Sequence, residues 1–181
     1  MNENPSRWSL TDRPGYLCIH AHPGSIADEN LLLRDAPSGD YEISTHLIFG
    51  PFSHHQTAGI VLRHEDGSSL ILARSYCDGQ DDLPCLGNQI DFDGTENGAP
   101  IGGIAAITTQ YKGMAYLRVT RRGSTYSGHY SDNGRDWTLV GSHTFAPGIQ
   151  LSQVGLAAAR DFAETGIAAY FDYFDIRALV E

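Results

Sequence analysis

The sequence predicts an all-β protein, an antiparallel two-sheet β-sandwich, on three observations. Short runs rich in β-branched and aromatic residues recur about every 10 to 15 residues, and several alternate apolar and polar side chains. Residue pairs ending in glycine, which favour hairpin turns, separate many of these runs. No stretch of about ten or more residues shows the periodicity of an amphipathic helix. A sandwich is the simplest architecture that buries such strands.

The predicted strands follow one another along most of the chain. In order, they are YEISTHLIFG, TAGIVLRHE, SSLILARSY, IAAITTQ, AYLRVTR, TYSGHYS, DWTLVGS, QVGLAAA and AAYFDYFDIRA. The turns are predicted at Asp66-Gly67, Asp93-Gly94, Asn97-Gly98, Lys112-Gly113, Arg122-Gly123 and Asn133-Gly134. A short helical turn is an additional prediction, in PGSIADENLLL. Since no internal repeat or low-complexity linker interrupts the pattern, we predict one domain over residues 1–181.

Charge and hydropathy make several classes of partner improbable. The chain of 181 residues has a formal net charge of -10, so it lacks the basic surface that binds nucleic acid or anionic membranes. Residues 1–15 contain no apolar segment typical of a signal peptide. No apolar run approaches the roughly 20 residues that span a bilayer. Binding of a neutral ligand remains compatible with this charge.

The three cysteines predict one disulfide bond and one free thiol. Cys77 and Cys85 flank the polar segment DGQDDLP, and a bond between them would stabilise so short a loop by roughly 2–3 kcal/mol. Such a bond favours an extracellular location, whereas two reduced surface thiols are the alternative. Cys18 lies in an alternating run, so we expect it to be a strand residue rather than a nucleophile.

The segment AYLRVTRRGSTYSGHYSDNGRDWTLVG alternates strongly enough to predict which side chains are buried. One face collects the set that we expect in the core, namely Leu117, Val119, Tyr126, Gly128, Tyr130 and Trp137. Trp137 follows an Asn-Gly turn, where its ring would cover the end of the sandwich. We therefore expect Trp137 to be structural rather than a platform for sugar stacking, with a Trp→Ala cost of roughly 3–5 kcal/mol.

The order of several motifs resembles a known family over residues 7–177. The motifs are RWSLTDRPGYLCI, ENLLLRDAP, TAGIVLRHEDGSSLILARSYCD, AYLRVTRRGSTYSGHYSDNGRDWTLVG, VGLAAARDF and AAYFDYFDIRA. In this order they resemble the C-terminal concanavalin A-like β-sandwich, a jelly roll, of glycoside hydrolase family 43 β-xylosidases. In that family the WSL segment follows a catalytic propeller, which holds the hydrolytic carboxylates. The resemblance therefore implies an accessory domain that is separated from its enzyme or evolved without one.

The function implied is that of a non-catalytic carbohydrate-binding or accessory domain, with xylan or arabinoxylan as the first ligand to test. It requires no cofactor, and its partners would be oligo- or polysaccharides and a catalytic glycoside hydrolase domain. Two alternatives stay open. One is a small free-standing concanavalin-like glycosidase, and the other is a domain that buttresses a catalytic neighbour without touching sugar.

Planar hydrogen-bonding groups and aromatic rings are what a sugar site needs, and they are densest around ARSYCDGQDDLPCLGNQIDFDG. The hairpin at Asp66-Gly67 is expected to bring two arginines together on one face, with the polar loop reaching over it. The predicted ligand-binding residues are Arg63, Arg74, Tyr76, Asp78 and Asp91.

The glycosidase alternative depends on paired carboxylates at alternate positions of one strand, which a retaining mechanism places roughly 5–5.5 Å apart. QIDFDGTE offers Asp91 and Asp93 as weak candidates, although Asp93-Gly94 is better explained as a turn. The pair His54-His55 is interpreted as a polar loop rather than a metal site.

A structural calcium ion is a separate hypothesis, because sandwiches of this kind often hold one between the closing strand and an early loop. Asp172 in YFDYF, with Asp28 or Glu29 from IADEN, would supply the oxygen ligands. The alternative is that Asp172 only accepts backbone hydrogen bonds at a bulge. The spacing of Phe171, Phe174 and Ile176 in this closing strand requires such a bulge if all three pack inward.

Overall fold

The computed structural model describes residues 4–23, 31–64, 66–79, 87–101, 105–110, 113–160 and 166–180. In these residues a single 3-10 turn, Pro5–Arg7, precedes a succession of β-strands. The strands are β1 Trp8–Ser9, β2 Leu17–His20, β3 His22–Pro23, β4 Leu32–Asp35, β5 Tyr41–Ile48, β6 Gln56–Arg63, β7 Ser69–Cys77, β8 Gly87–Glu96, β9 Ala99–Pro100, β10 Ala105–Thr108, β11 Met114–Arg122, β12 Thr125–Ser131, β13 Thr138–Thr144, β14 Gln153–Arg160 and β15 Ala168–Ala178. None of the helical structure in the described ranges is long and apolar enough to cross a membrane.

The strands form two sheets, which confirms the predicted sandwich. The seven-stranded sheet has the order β1-β2-β15-β5-β11-β12-β13. The eight-stranded sheet has the order β10-β8-β7-β6-β14-β3, with β4 also paired to β14 and β9 to β8. Neighbouring strands pair antiparallel, except that β3 runs parallel to β14. Non-consecutive neighbours such as β15 and β5 bring distant parts of the chain together.

The core lies between the sheets and is built from alternate residues of each strand. Large buried side chains from both sheets fill it, among them Tyr41, Ile43, Leu47, Ile60, Leu62, Leu72 and Phe92. Gly128 of β12 faces Phe92 across the sandwich, and a Cβ atom at this position would collide with the Phe92 ring. The small residue on one sheet therefore makes room for the large residue on the other.

The prediction that Asp93-Gly94 is a turn is wrong. Both residues lie inside β8, where Gly94 pairs with Leu70 of β7. A Cβ atom on Gly94 would collide with the carbonyl oxygen of Ser69. Glycine is needed here for close approach of two strands and not for a positive φ.

The N-terminal third contains strands that the sequence pattern did not reveal. β1 and β2 form an antiparallel pair, and Cys18 lies in β2 as expected, free and buried. Part of the proposed helical turn, residues 24–30, lies outside the described residues, whereas Leu32 and Leu33 belong to β4. Cys77 is disulfide-bonded. Cys85 lies outside the described residues, so its pairing with Cys77 stays a prediction.

The outer faces of the two sheets differ. On the eight-stranded sheet a second apolar cluster is buried, and it consists of Leu31, Val61, Ala73, Ala157 and Ala159. The outer face of the seven-stranded sheet instead carries polar and aromatic side chains, including His46, Tyr116 and Arg118.

Candidate ligand-binding face

The two arginines expected on one face lie on opposite faces of the eight-stranded sheet. Leu70 and Leu72 of β7 are in the core, so Arg74 in the same alternation also points between the sheets. On β6 it is Val61 that belongs to the outer cluster, and Arg63 shares its side. The hairpin register separates them further, because Arg63 pairs with Ser69 rather than with Arg74. The prediction of a common face is wrong.

Arg74 links the two sheets from inside the core. Its side chain is fully buried and donates hydrogen bonds to the Met114 carbonyl of the other sheet at 3.1 Å and to Asn88 Oδ1 at 3.2 Å. Burial lowers the pKa of the guanidinium to about 10, opposed by the nearby Asp132 and Tyr130. Arg74 therefore remains a cation that packing and hydrogen bonds hold in place.

Tyr76 and Asp78 lie where β7 ends. Tyr76 is half-buried and pairs with Asn88 of β8. The Asp78 carboxylate lies 3.2 Å from Nδ1 of His54, whose ring meets that of His55 edge-on at 3.7 Å. The two histidines precede β6 in an irregular segment, as the sequence predicted.

Asp91 lies on the outer face of the eight-stranded sheet, away from Arg74. Ser75 donates a hydrogen bond to its Oδ2 atom, whereas Oδ1 is buried and has no hydrogen-bond partner among the described residues. Burial raises the pKa of Asp91 to about 6, and the neighbouring Asp93 adds to this shift. Asp93 shares the face by alternation, and its Oδ1 accepts a hydrogen bond from the Gly94 amide at 2.6 Å. The five predicted ligand residues thus form no single site.

A cluster that the sequence interpretation missed lies on the outer face of the seven-stranded sheet. The rings of His46 and Tyr116 stack with centroids 4.3 Å apart and planes 15° from parallel. Asp172 Oδ2 lies 3.3 Å from His46 Nδ1. Tyr173 is 39% exposed, and partial burial raises the pKa of its hydroxyl, with a hydrogen bond to Ser44 opposing this shift and the nearby Tyr116 adding to it. Four side chains from three adjacent strands therefore meet at one place.

A bulge in β15 puts two of these residues on the surface. Phe171 pairs with Leu47 and Phe174 pairs with Thr45, so β15 has one residue more than β5 over this interval. The Tyr173 carbonyl accepts a hydrogen bond of 2.5 Å from Thr45 Oγ1. The predicted bulge is therefore confirmed. The signal in the sequence was the pair Asp-Tyr between two core phenylalanines.

His46 has a polar atom that the described part of the protein leaves unsatisfied. Its side chain is only 10% exposed, and Nδ1 faces Asp172. The other ring nitrogen, Nε2, is buried and has no hydrogen-bond partner in the described residues. Buried polar groups are normally paired, so this nitrogen is an exception among the described residues.

The same face continues to Trp137 through Arg118. The Arg118 guanidinium lies 3.9 Å from the Trp137 ring centroid, and Glu42 lies 3.7 Å from the same guanidinium. Trp137 is half-buried on the outside of the sheet. The expectation that it continues the buried set of Tyr126 and Tyr130 is wrong, because the chain between β12 and β13 turns back over the outer face.

The turn that places Trp137 is fixed by its own polar side chains. Ser131 Oγ accepts hydrogen bonds from the amides of Asn133 and Gly134, and Asn133 Oδ1 accepts from those of Arg135 and Asp136. Gly134 has a φ of 71° and lies so close to Tyr116 that a Cβ atom would be 3.2 Å from the ring. The motif SDNGRDW is therefore a preorganised turn packed on the sheet.

We call the surface formed by His46, Tyr116, Arg118, Trp137, Asp172 and Tyr173 the aromatic face. It combines flat rings with a guanidinium and a carboxylate, which suits a hydroxyl-rich neutral ligand. A groove of 310 Å³ adjoins it at the bulge and shares Asp172 and Tyr173 with it. The groove also has exposed apolar walls, since Leu10 is 62% and Leu32 is 57% exposed.

Asp172 is the one member of the predicted calcium set that the structure describes. Its carboxylate lies beside His46, at a half-exposed position of the bulge. Asp28 and Glu29 lie outside the described residues, so the calcium site stays a prediction.

Comparison with known proteins identifies the domain type. The family model of the β-xylosidase C-terminal concanavalin A-like domain matches residues 1–177. A family 43 glycoside hydrolase of Bacillus licheniformis, BlXynB, is 22% identical with a TM-score of 0.85, over 98% of this chain and 36% of its own. A xylan β-1,4-xylosidase of Bacillus halodurans is 22% identical with a TM-score of 0.78, over 97% and 35%. No curated protein matches the sequence.

A third solved structure has the same fold over nearly its whole length. It is a protein of unknown function from Saccharomyces cerevisiae, 17% identical with a TM-score of 0.74, covering all of this chain and 96% of its own. The present chain thus spans about a third of the length of the bacterial enzymes and nearly all of the yeast protein. Because the family model matches residues 1–177, the chain belongs to the family of β-xylosidase C-terminal concanavalin A-like domains.

Proposed function

We propose that this chain is a non-catalytic accessory domain that binds plant polysaccharide, with xylan or arabinoxylan as the first ligand to test. The observation that carries the proposal is the aromatic face, where the exposed Tyr173 ring and the half-exposed Asp172 carboxylate lie beside His46 and Tyr116. Sugar rings pack their C–H faces on such aromatics, and ring hydroxyls pair with planar donors and acceptors. The similarity to a xylan β-1,4-xylosidase supports the choice of glycan.

The aromatic face is preferred over the predicted set around Arg74. Arg74 is fully buried, and Arg63 and Asp91 lie on the opposite side of the sheet from it. On the aromatic face, by contrast, Tyr173 and the Asp172 carboxylate are 39% and 44% exposed. A ligand can therefore reach them without any rearrangement of the core.

Calorimetric titration with xylo-, arabino- and gluco-oligosaccharides tests the proposal. Tyr173→Ala should weaken binding at least about tenfold, because one stacked ring and its hydrogen bond are lost. Arg63→Ala on the other sheet is the matched control and should bind like the wild type. The reverse result, loss in Arg63→Ala alone, would move the site to the eight-stranded sheet.

A buttressing role is the second candidate, and the groove favours it. Its exposed leucines, Leu10 and Leu32, are apolar side chains of the kind that pack against a neighbouring domain. The related bacterial enzymes are about three times longer than this chain. Two results together would support this role. The wild-type protein would bind none of the glycans, and Leu10→Asp would weaken its association with a catalytic domain.

The glycosidase alternative has a direct test. We expect no hydrolysis of xylan, arabinan, β-glucan or aryl glycosides above a blank reaction. Turnover that disappears in Asp91→Asn or Asp93→Asn would overturn the accessory role in favour of an enzyme.

A further inference from the structure

A cysteine, a histidine and an aspartate converge beside the seven-stranded sheet, apart from the aromatic face. Cys18 and His20 are two residues apart on β2, so both side chains leave the same side of the strand. The chain after β1 folds back and places Asp12 against them. Cys18 Sγ lies 3.6 Å from His20 Nε2, which lies 3.2 Å from Asp12 Oδ2. The three atoms all lie within 4.8 Å of one another.

These separations agree with those between ligands of one tetrahedral zinc ion. Zinc–sulfur, zinc–nitrogen and zinc–oxygen bonds of about 2.3, 2.0 and 2.0 Å give ligand atoms about 3.5 Å apart for sulfur and nitrogen and about 3.3 Å for nitrogen and oxygen. The observed distances of 3.6 and 3.2 Å need almost no adjustment. Thiolate, imidazole and carboxylate are also the ligand types that zinc takes in proteins.

Hydrogen bonds alone satisfy this cluster poorly. His20 Nε2 faces both the thiol and the carboxylate, yet one ring nitrogen either donates or accepts. If it donates to Asp12, it cannot accept from the thiol, and if it accepts from Cys18, it has no hydrogen for the Asp12 carboxylate 3.2 Å away. A cation between the three atoms removes this conflict, because all three act as electron-pair donors to it.

A second layer of contacts fixes the carboxylate. Ser9 pairs with Cys18 in the β1–β2 ladder, and its hydroxyl donates to Asp12 Oδ1 at 2.9 Å. The amides of Thr11 and Asp12 in turn donate to Ser9 Oγ. Such support orients a metal-ligating carboxylate and leaves its other oxygen, Oδ2, facing the cluster.

The three side chains of this cluster differ in their exposure to solvent. Cys18 is fully buried, whereas the side chains of His20 and Asp12 are 43% and 46% exposed. An ion could therefore enter from the solvent side, and a water or another ligand could complete its coordination there. The bound ion would fasten the chain from Ser9 to Asp12 onto β2.

We propose that Asp12, Cys18 and His20 form a zinc site with three protein ligands and one open position. The site is separate from the calcium hypothesis, since calcium prefers oxygen ligands and one of these three is a thiol. It is also independent of glycan binding, which uses side chains on β5, β11 and β15.

Metal titration of the untagged, metal-stripped protein tests this site. The protein is kept without reductant so that any disulfide stays intact. It should bind one Zn²⁺ per chain, and added Ca²⁺ should not displace the Zn²⁺. Asp12→Asn and His20→Gln change partly exposed side chains, so the fold should persist, and each should weaken Zn²⁺ binding at least about tenfold. The matched control is His64→Gln, since His64 lies 3.1 Å from Asp66 in a similar pair without the cysteine.

Two further measurements distinguish coordination of the ion by these three residues from nonspecific binding. Co²⁺ in place of Zn²⁺ should give a thiolate-to-cobalt charge-transfer band that Cys18→Ala lacks, and Zn²⁺ should raise the melting temperature of the wild type but not of His20→Gln. Wild-type protein that binds no Zn²⁺, variants that bind like the wild type, or a Co²⁺ spectrum without the thiolate band would each overturn the proposal.

Discussion

The guanidinium of Arg118 lies 3.9 Å from the centre of the Trp137 ring, on the outside of the seven-stranded sheet. This stack replaces the core position that alternation predicted for the tryptophan. It also joins the turn between β12 and β13 to Glu42 on β5, whose Oε2 atom is 3.7 Å from Arg118. The turn is thereby held by side chains that also form the candidate site.

The first prediction concerns the stability cost of losing Trp137. Because the ring is half-buried and stacked on a cation, Trp137→Ala should lower the free energy of unfolding by about 1–2 kcal/mol, less than a core Trp→Ala change. A double-mutant cycle with Arg118→Ala, followed by urea unfolding, should give a coupling of about 0.5–1 kcal/mol. A loss above about 3 kcal/mol would show that the ring is a core residue after all.

The second prediction follows from the raised pKa of Asp91. Its folded-state pKa of about 6 lies above the value of about 3.9 in an unfolded chain, so the folded state binds the proton more tightly. The resulting stability is present below pH 4 and is lost as the pH rises through 6, a change of roughly 2–3 kcal/mol.

Asp91→Asn should therefore be more stable than the wild type at pH 7 and should lose this part of the pH dependence. An asparagine still accepts the hydrogen bond from Ser75. Urea unfolding between pH 4 and pH 8 measures both effects, with Asp35→Asn, at an exposed position of β4 on the same sheet, as the control. If the free energy of unfolding depends on pH equally in the wild type and in Asp91→Asn, the Asp91 carboxylate is not desolvated.

The third prediction separates two roles of glycine. Gly94→Ala should lower the free energy of unfolding by about 1–3 kcal/mol, because its Cβ would meet the backbone of Ser69, which cannot rotate away. Gly113→Ala is the matched control, since none of the described residues lies within 4 Å of a Cβ at that position. Thermal or urea unfolding of the pair should show a clear difference, and similar stabilities would argue against the close strand approach.

The fourth prediction is the cysteine pairing. Mass measurement after alkylation in denaturant without reductant should show one modified residue, Cys18, which is free and buried in the folded protein. After reduction all three cysteines should react. Three modified thiols in oxidised, freshly isolated protein would exclude the Cys77–Cys85 bond and weaken the extracellular assignment.

The sandwich could be predicted because alternation and glycine turns act locally. The runs around Ile43, Ile60 and Leu117 follow the two-residue period and are core strands as expected. Short edge strands such as β1 and β3 have two residues each, too few for any period to show. Gly94 was misassigned because its constraint comes from β7, which the sequence near Gly94 does not reveal.

The candidate site was harder to predict, because it depends on which strands become neighbours. His46 and Asp172 are 126 residues apart and meet only because β5 pairs with β15. Arg74 looked like a ligand residue from its type alone, yet the alternation of Leu70 and Leu72 already places it inward. The sequence alone thus predicts which face of its strand a residue occupies, but it does not predict the order of the strands in the sheets.

The bulge in β15 has a consequence for how this surface can change. Phe171, Phe174 and Ile176 all face inward, opposite Leu47, Thr45 and Ile43. A chain with one residue fewer between the two phenylalanines would form a regular strand with the same inward partners, because the alternation resumes unchanged. Deletion of one residue at this point therefore alters the residues shown to solvent and the backbone acceptor of the buried Thr45 hydroxyl, and leaves the apolar inward partners in place. A one-residue deletion here would thus remove a surface side chain while the apolar packing between the sheets stays the same.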